Sequence, residues 1–445
     1  MIRPLAAVLA SIALTGPAAA AAPRTEVVDV GGARAYVSAD DAAPLAGVGL
    51  VVRAGVDRQT TSQNGLAALV AESILHTPAG ASPAVPPTAG AAAAGATAQT
   101  MPLSDAVDAL GASIGYAVGT DSVRFYLEGT PEAIAATAPL VARALAAPSF
   151  DATTLAAARA ALAERFGDED SDPRLVGRAM LRASYYRGGA GLPPLGNAGA
   201  LAALTPADAK AFYDRWYVRG SAAVAAVGRT GQATDAASRA LAAALPAGTA
   251  PAATVAVHAP AAQPKRIVTH RDVAAPYVML GFAAPALGDR DFPAALVMRS
   301  LLSSVLDRPT ATTLPPAFRA VGTIYGYDTA PAQMIVWING ARIDAETGLT
   351  AVDAVVKAAA AKPVSATVLS RFKESARGEW TLESVSLDER ARAIANAVTR
   401  GLDPDVADDV RAAIGRVTAA DVQRVAKKYF QRFDVALVMP RSAGS

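Results

Sequence analysis

The chain of 445 residues has no cysteine, only 3 histidines and few aromatic residues, which make up 5% of it. The absence of cysteine excludes disulfide bonds, thiolate nucleophiles and cysteine-based metal sites. It is compatible with an oxidising compartment such as a periplasm. The histidines, His76, His258 and His270, are too far apart for any two to share one helical turn. A catalytic zinc site built on paired histidines of one helix is therefore excluded.

The chain also lacks a strong charge of either sign. It carries 41 basic and 39 acidic residues, a formal net charge of +2, without a long run of one sign. Without such a run the sequence offers no segment that would neutralise a phosphate backbone, so we expect no nucleic-acid partner. No glycine-rich nucleotide fingerprint and no G-x-S-x-G elbow occurs, which leaves nucleotide-binding and serine-hydrolase functions unsupported.

The first 22 residues have the pattern of a secretory signal peptide: Arg3, an apolar run from about Leu5 to Leu14, and small residues around Ala20–Ala22. The apolar run is shorter than the roughly 18–20 residues needed to span a bilayer. No later segment combines that length with freedom from charge, proline and glycine. We therefore expect an exported protein, periplasmic or secreted, with no membrane span in the mature chain.

The remaining chain divides into two α+β halves. We predict an N-terminal domain over residues 23–244, a Pro/Ala/Gly linker over 245–264 and a C-terminal domain over 265–445. Residues 78–100 are a nearly uncharged Pro/Gly/Ala segment and predict a loop inserted after the first helix.

The two halves resemble each other in sequence. The segment that starts at Leu204 aligns without a gap on the one that starts at Val417, pairing Thr205 with Thr418 and Asp208 with Asp421. Earlier segments pair Gly111 with Gly322, Gly115 with Gly326, Tyr116 with Tyr327 and Gly129 with Gly340. These repeats indicate a duplicated unit. The threonines are expected to cap helices whose first turn carries the aspartates.

The run GLAALVAESILHTP from Gly65, with later segments DALGASIGYAVGTDSVRFYLEG, LTPADAKAFYDRWY and LGFAAPALGDRDFPAA, resembles the pitrilysin/insulinase family of peptidases, which includes the mitochondrial processing peptidases. The resemblance extends over both halves. It implies an α+β fold of two homologous repeats, each a mostly antiparallel sheet covered by helices, facing each other across a cavity.

In that family a helix carries an inverted zinc motif, H-x-x-E-H. Aligning GLAALVAES on it places the first histidine at Ala68, the catalytic glutamate at Ala71 and the second histidine at Glu72, and the third zinc ligand falls at Arg165. Alanine has no donor atom and arginine is a cation, so this chain is expected to bind no metal and to hold no cofactor. Glu72 is expected to be solvated or in a salt bridge, and His76 to be solvated.

The resemblance also implies an arginine and a tyrosine of the second half that contact the substrate backbone beside the zinc. The segment PPAFRAVGTIYGYD places Arg319 and Tyr325 there, with a spacing one residue shorter than the usual pattern. A guanidinium and a phenol could polarise a peptide carbonyl. The alternative is that Arg319 is a solvated charge at a strand edge and Tyr325 packs on the sheet.

From these observations we expect a zinc-free subunit of a metallopeptidase. Its partner would be a zinc-bearing paralogue in a heterodimer, its substrate a peptide or unfolded polypeptide, and Arg319 and Tyr325 its substrate-binding pair. On this expectation the chain is inactive alone. The alternative is a catalytically silent structural or peptide-binding homologue.

Overall fold

The computed structural model describes residues 25–30, 33–40, 42–79, 101–249, 251, 254–258, 263–307, 320–340, 345–383 and 385–441. The predicted signal peptide and Arg319 lie outside the described residues. So does the predicted loop from residue 80 to residue 100. No helix within the described ranges has the length and apolar character to cross a bilayer.

The first half builds a six-stranded sheet with the order β1-β2-β6-β3-β5-β4. Its strands alternate or run apolar, as expected for strands buried on one or both faces. In chain order they are β1 (Glu26–Val30), β2 (Ala33–Ala39), β3 (Ala46–Val52), β4 (Ala112–Val118), β5 (Val123–Gly129) and β6 (Ala222–Gly228).

The second half builds a five-stranded sheet with the order β7-β11-β8-β10-β9. The strands, in chain order, are β7 (Arg266–Arg271), β8 (Tyr277–Ala284), β9 (Ala320–Gly326), β10 (Ala332–Asn339) and β11 (Phe433–Pro440).

The two sheets have the same topology. In each, the strand at the C-terminal end of its half pairs in parallel with the strand at the start, β6 with β2 and β11 with β7, and the remaining pairs are antiparallel. The strand β1 is an addition at one edge of the first sheet. The structure thus confirms the predicted α+β class with two homologous repeats, whereas the domain boundary at 245–264 stays a prediction.

Helices cover both sheets. Those of the first half are α1 (Leu66–Leu75), α2 (Leu103–Ala109), α3 (Pro131–Ala146), α4 (Ala152–Ser171), α5 (Pro173–Tyr185), α6 (Ala198–Ala203), α7 (Pro206–Trp216) and α8 (Gln232–Ala244). Those of the second half are α9 (Phe292–Asp307), α10 (Ala345–Ala361), α11 (Ala366–Leu382), α12 (Leu387–Thr399), α13 (Val406–Arg416) and α14 (Ala419–Tyr429).

The predicted helix caps are present in both halves. Thr205 and Thr418 form capping boxes with Asp208 and Asp421, and in each box the threonine hydroxyl donates to the aspartate at 2.6 Å. Each threonine oxygen in turn accepts the aspartate N–H at 3.2 Å. Both boxes satisfy N–H groups that would otherwise have no partner at the first turn.

Two helices are exchanged between the halves. α5 leaves the first half and packs on β8 and β11 of the second sheet, whereas α12 leaves the second half and packs on β3 and β6 of the first. Glycines permit the close approach, because a Cβ at Gly49 would lie 3.0 Å from Ala391 and one at Gly177 would lie 2.0 Å from Met279. Each sheet therefore has its own helices on one face and a helix from the other half on the opposite face.

The strand register corrects one detail of the repeat. Gly115 faces Tyr126 across the β4–β5 ladder, and Gly322 faces Trp337 across the β9–β10 ladder. In both places an aromatic ring lies over the glycine, since a Cβ would come within 2.2 Å of Tyr126 or 2.5 Å of Trp337. The counterpart of Gly115 is thus Gly322, and the sequence pairings of Gly115 with Gly326 and of Gly111 with Gly322 are wrong.

Candidate functional site

Helix α1 carries the positions that correspond to the zinc motif. It begins after Gly65, whose φ of 92° favours glycine, and every residue from Leu66 to Leu75 is buried. Ala68 and Ala71 are both 0% exposed and form part of the core of the first half. At the two positions expected for the first histidine and the catalytic glutamate, the structure therefore has methyl groups packed among apolar neighbours.

Glu72, on the same helix, takes part in a compact polar cluster. Its Oε2 accepts the hydroxyl of Tyr116 at 2.6 Å, and Nη1 of Arg165 lies 3.5 Å from the same oxygen. Arg165 also donates to the Tyr116 hydroxyl oxygen at 2.7 Å, while His76 Nε2 lies 3.3 Å from Glu72 Oε1. These four residues are called the Glu72 cluster below. They bring α1, β4 and α4 together at one point.

The protonation of the Glu72 cluster follows from its contacts. Burial opposes the charge of Glu72, but hydrogen bonds from His76 and Tyr116 and the charge of Arg165 outweigh it, and the pKa of Glu72 is lowered. Burial and the negative charge of Glu72 raise the pKa of Tyr116 well above its usual value of 10.0. Glu72 is therefore an ion-paired carboxylate and Tyr116 a neutral hydrogen-bond donor. This arrangement has neither a general base nor a nucleophile of raised reactivity.

The Glu72 cluster does not fit a zinc ion. A catalytic zinc needs three protein donors and an open position, whereas Ala68 offers no donor and Arg165 places a guanidinium where the third ligand would be. Among the described residues, no group of three His, Asp or Glu side chains is arranged to hold a metal ion.

Sequence reasoning missed two members of the Glu72 cluster. Tyr116 was noted only as a position that repeats between the two halves. The expectation that His76 is solvated is wrong, because its ring pairs with Glu72 and its side chain is only 24% exposed. The spacing of Glu72 and His76, four residues apart at the end of a helix, was the available signal. Nothing local in the sequence connects Tyr116 with them, since β4 follows 44 residues later.

Tyr325 lies apart from the Glu72 cluster. It is on β9, the edge strand of the second sheet, where its hydroxyl donates to the backbone oxygen of Pro285 and its ring packs 5.6 Å from that of Phe292. Burial raises the pKa of Tyr325 well above its usual value. No contact between Tyr325 and the Glu72 cluster is present within the described residues. The position of its proposed companion Arg319 lies outside them.

The second half also has a polar cluster between two helices, α9 and α11, but the positions of the acidic and basic residues are reversed. Arg299 on α9 donates to Glu379 at 3.1 Å and to Glu383 at 2.7 Å, and the Tyr327 hydroxyl donates to Glu383 at 3.3 Å. In the first half the acid is on the inner helix and the arginine on the outer one. In the second half the arginine is on the inner helix, α9, and the two acids lie at the outer helix, α11. Both clusters join helix to helix through ion pairs and are completed by a tyrosine.

A second buried carboxyl lies just before α1. The Asp57 side chain is 5% exposed, and its Oδ1 is 3.4 Å from Nε of Arg58. Neither carboxyl oxygen has a hydrogen bond within the described part of the chain. Burial, opposed in part by Arg58, raises the pKa of Asp57 from 3.8 to about 6. Asp57 is therefore less stable in its charged form than Glu72, although both are buried acids of the first half.

Comparison with known proteins finds one family model that matches part of the chain. Residues 203–386 match the family described as the peptidase M16 inactive domain. No curated protein matches the chain at a significant level.

Several solved structures share the fold. A peptidase M16 inactive domain from Pseudomonas fluorescens has a TM-score of 0.77 at 17% identity, covering 95% of this chain and 99% of that one. A protease from Helicobacter pylori has a TM-score of 0.77 at 15% identity, covering 94% and 100%. A chain of complex III2 from Candida albicans has a TM-score of 0.70 at 14% identity, covering 93% and 95%. At these identities the structures establish the fold.

Residues 203–386 match the inactive domain, nearly the whole chain shares the fold, and alanines and an arginine stand at the positions that the resemblance assigns to the zinc motif. The chain is thus similar to the inactive domain of M16, or pitrilysin/insulinase-type, peptidases over residues 203–386, and it has the fold of M16-like structures along nearly its whole length.

Proposed function

We propose that this chain is the exported, zinc-free subunit of an M16 peptidase and works with a zinc-bearing paralogue in a heterodimer. The observation that carries the proposal is the Glu72 cluster, in which an ion-paired glutamate, a tyrosine and an arginine occupy the place of the zinc ligands. A chain with this cluster has no means of activating water at that place. Hydrolysis of a peptide or unfolded polypeptide therefore depends on zinc held by the partner.

In this proposal the second half contributes to substrate binding through Arg319 and Tyr325. β9 is an edge strand of the second sheet, so its outer backbone groups suit pairing with an extended peptide. Tyr325 at present donates to the carbonyl of Pro285. To hold a substrate carbonyl, its hydroxyl has to exchange that bond for one to the substrate.

The test is co-expression with the H-x-x-E-H homologue of the same genome, followed by assay of peptide cleavage. If Arg319 and Tyr325 stabilise the transition state, Arg319→Ala and Tyr325→Phe each lower kcat on the order of 10²-fold while the heterodimer still assembles. Two matched controls, Arg290→Ala at a site whose side chain is 84% exposed and Tyr277→Phe on β8, leave kcat unchanged. Full activity of the zinc partner without this chain contradicts the shared site.

A second function is favoured by one observation. The Tyr325 hydroxyl already has a backbone acceptor, and its ring packs against Phe292 and Tyr327, which is the arrangement of a structural residue. The fold is also found in a chain of complex III2. The alternative is thus a structural or peptide-binding homologue without a catalytic role. It is supported if the zinc partner requires this chain for stability but tolerates both substitutions.

A further inference from the structure

A cavity of about 530 Å³ lies beside the C-terminal end of α5, between parts of both halves. One wall is formed by Ser184 and Tyr185 of α5 and another by the turn that joins α14 to β11. None of its lining residues belongs to the Glu72 cluster. Its volume is within the range of pockets that enclose a small ligand or a short peptide segment.

The floor of the cavity is apolar and made of small residues. Gly281 and Ala283 of β8 lie on the face of the second sheet on which α5 packs, next to the point where that helix ends. Gly281 faces Asp434 across the β8–β11 ladder, and Phe433, next to it, packs 5.4 Å from Phe282. Where α5 ends, the sheet is left with small side chains and no covering helix. The resulting space can accept an apolar or aromatic side chain.

The rim of the cavity is positively charged. Lys265, Lys427, Lys428 and Arg432 line it, while the acid that lines it is Asp434. Asp434 is already engaged, since its Oδ1 accepts the Lys265 N–H at 3.1 Å and its Oδ2 accepts the Ser184 hydroxyl.

The other charges near the rim do not cancel this excess. Lys428 is paired with Asp291 at 2.9 Å. The partial negative charge at the C-terminal end of α14 balances part of one further positive charge. Within the described residues, Lys265, Lys427 and Arg432 have no carboxylate partner. Their side chains keep a positive charge above an apolar floor.

We infer that this cavity binds a short peptide segment in which a carboxylate stands beside an apolar or aromatic side chain. The cations pair with the carboxylate, most strongly Arg432, because a guanidinium can hold both oxygens. The apolar side chain fills the space above Gly281 and Ala283. The carboxylate has two possible sources, an acidic side chain or a free peptide C-terminus, and the experiment distinguishes them. The site is in this chain alone and does not depend on the zinc-bearing partner.

The experiment measures binding of fluorescent tetrapeptides to the full mature chain by anisotropy. One peptide has glutamate beside phenylalanine and an amidated C-terminus, a second has glutamine in place of glutamate, and a third has glutamine with a free C-terminus. The glutamate peptide is expected to bind at least fivefold more tightly than the amidated glutamine peptide. Equal binding of these two overturns the proposal. Tight binding of the third peptide identifies the C-terminal carboxylate as an alternative source.

Variants then locate the site. Arg432→Gln and Lys265→Gln each weaken binding of the glutamate peptide roughly fivefold, and the double variant weakens it further than either single variant. Ala283→Leu fills the floor and abolishes binding without changing the charge. The matched control is Lys210→Gln, an exposed lysine on α7 paired with Asp214 at 2.6 Å, which leaves affinity unchanged.

Two results overturn the assignment to this cavity. One is unchanged affinity in the Arg432→Gln and Lys265→Gln double variant, which is made at exposed rim positions and is expected to fold. The other is equal loss of affinity in Lys210→Gln, which identifies non-specific attraction to surface charge. Thermal unfolding of each variant shows that it is folded, so the Ala283→Leu result counts only with an unchanged Tm.

Discussion

The Glu72 cluster allows a quantitative prediction about Tyr116. Its hydroxyl donates to a carboxylate whose side chain is about 10% exposed and accepts a hydrogen bond from Arg165 at 2.7 Å. A hydrogen bond to a charged group contributes about 1.5–3 kcal/mol. Tyr116→Phe removes it and leaves the Glu72 carboxylate with less compensation, so we expect the free energy of unfolding to fall by about 2–3 kcal/mol at pH 7.

The assay is urea unfolding followed by circular dichroism, on the wild type, Tyr116→Phe, Glu72→Gln and the double variant. Because the two residues share one hydrogen bond, the effects should not add, and the cycle should give a coupling energy of about 1–2 kcal/mol. Arg165→Gln is expected to cost less, below about 1 kcal/mol, since its side chain is 39% exposed and is screened by water.

The matched control is Tyr126→Phe on the neighbouring strand β5. Its hydroxyl has no hydrogen bond in the described part of the chain, and its removal should change stability by less than about 0.5 kcal/mol. If Tyr116→Phe costs no more than Tyr126→Phe, or if the cycle is additive within about 0.5 kcal/mol, the cluster does not hold α1, β4 and α4 together as described.

Further predictions concern pH and metal. The folded-state pKa of Asp57 is raised from 3.8 to about 6, so the protonated form favours folding and the free energy of unfolding falls as pH rises from about 4 to about 6. This pKa difference of about 2 corresponds to about 3 kcal/mol. Asp57→Asn should therefore be more stable than the wild type by up to that amount above pH 6, and equally stable near pH 4. Urea titrations at several pH values measure this difference. Glu72 has a lowered pKa, so its contribution to the free energy of unfolding is complete above about pH 4.5 and is lost as pH falls below that value. In Glu72→Gln, the part of the free energy of unfolding that is lost in acid should therefore be missing. If the pH dependence of unfolding is unchanged in this variant, the ion-paired state is contradicted. Purified alone and dialysed, the chain should contain no stoichiometric zinc by elemental analysis, and about one zinc per chain that disappears in Glu72→Ala would contradict this reading of α1.

The sequence was sufficient for features that depend on local chemistry. The capping boxes at Thr205 and Thr418 follow from residues three positions apart, and the structure has both. Likewise Glu72 and Arg165 were aligned on positions that should meet if the fold is that of the family, and they lie 3.5 Å apart.

Features that depend on pairing between distant segments were not predictable in this way. Tyr116 joins the Glu72 cluster because β4 is the edge strand that α1 packs against, and that neighbour relation is set by the sheet order. The register error between Gly115 and Gly326 has the same origin. A glycine in a strand indicates a close approach, but only the ladder shows that the approaching group is the ring of Tyr126 in one half and of Trp337 in the other.

The exchange of α5 and α12 bears on how such a chain could arise. A single repeat on its own would leave one face of its sheet, with Met279 and Ala436 or with Val51 and Ala225, open to water. Two copies could cover each other only by trading this helix, as in a domain-swapped dimer. A single repeat is therefore expected to need a second copy to cover its sheet. With both repeats in one chain, the exchange of these helices is intramolecular and independent of concentration.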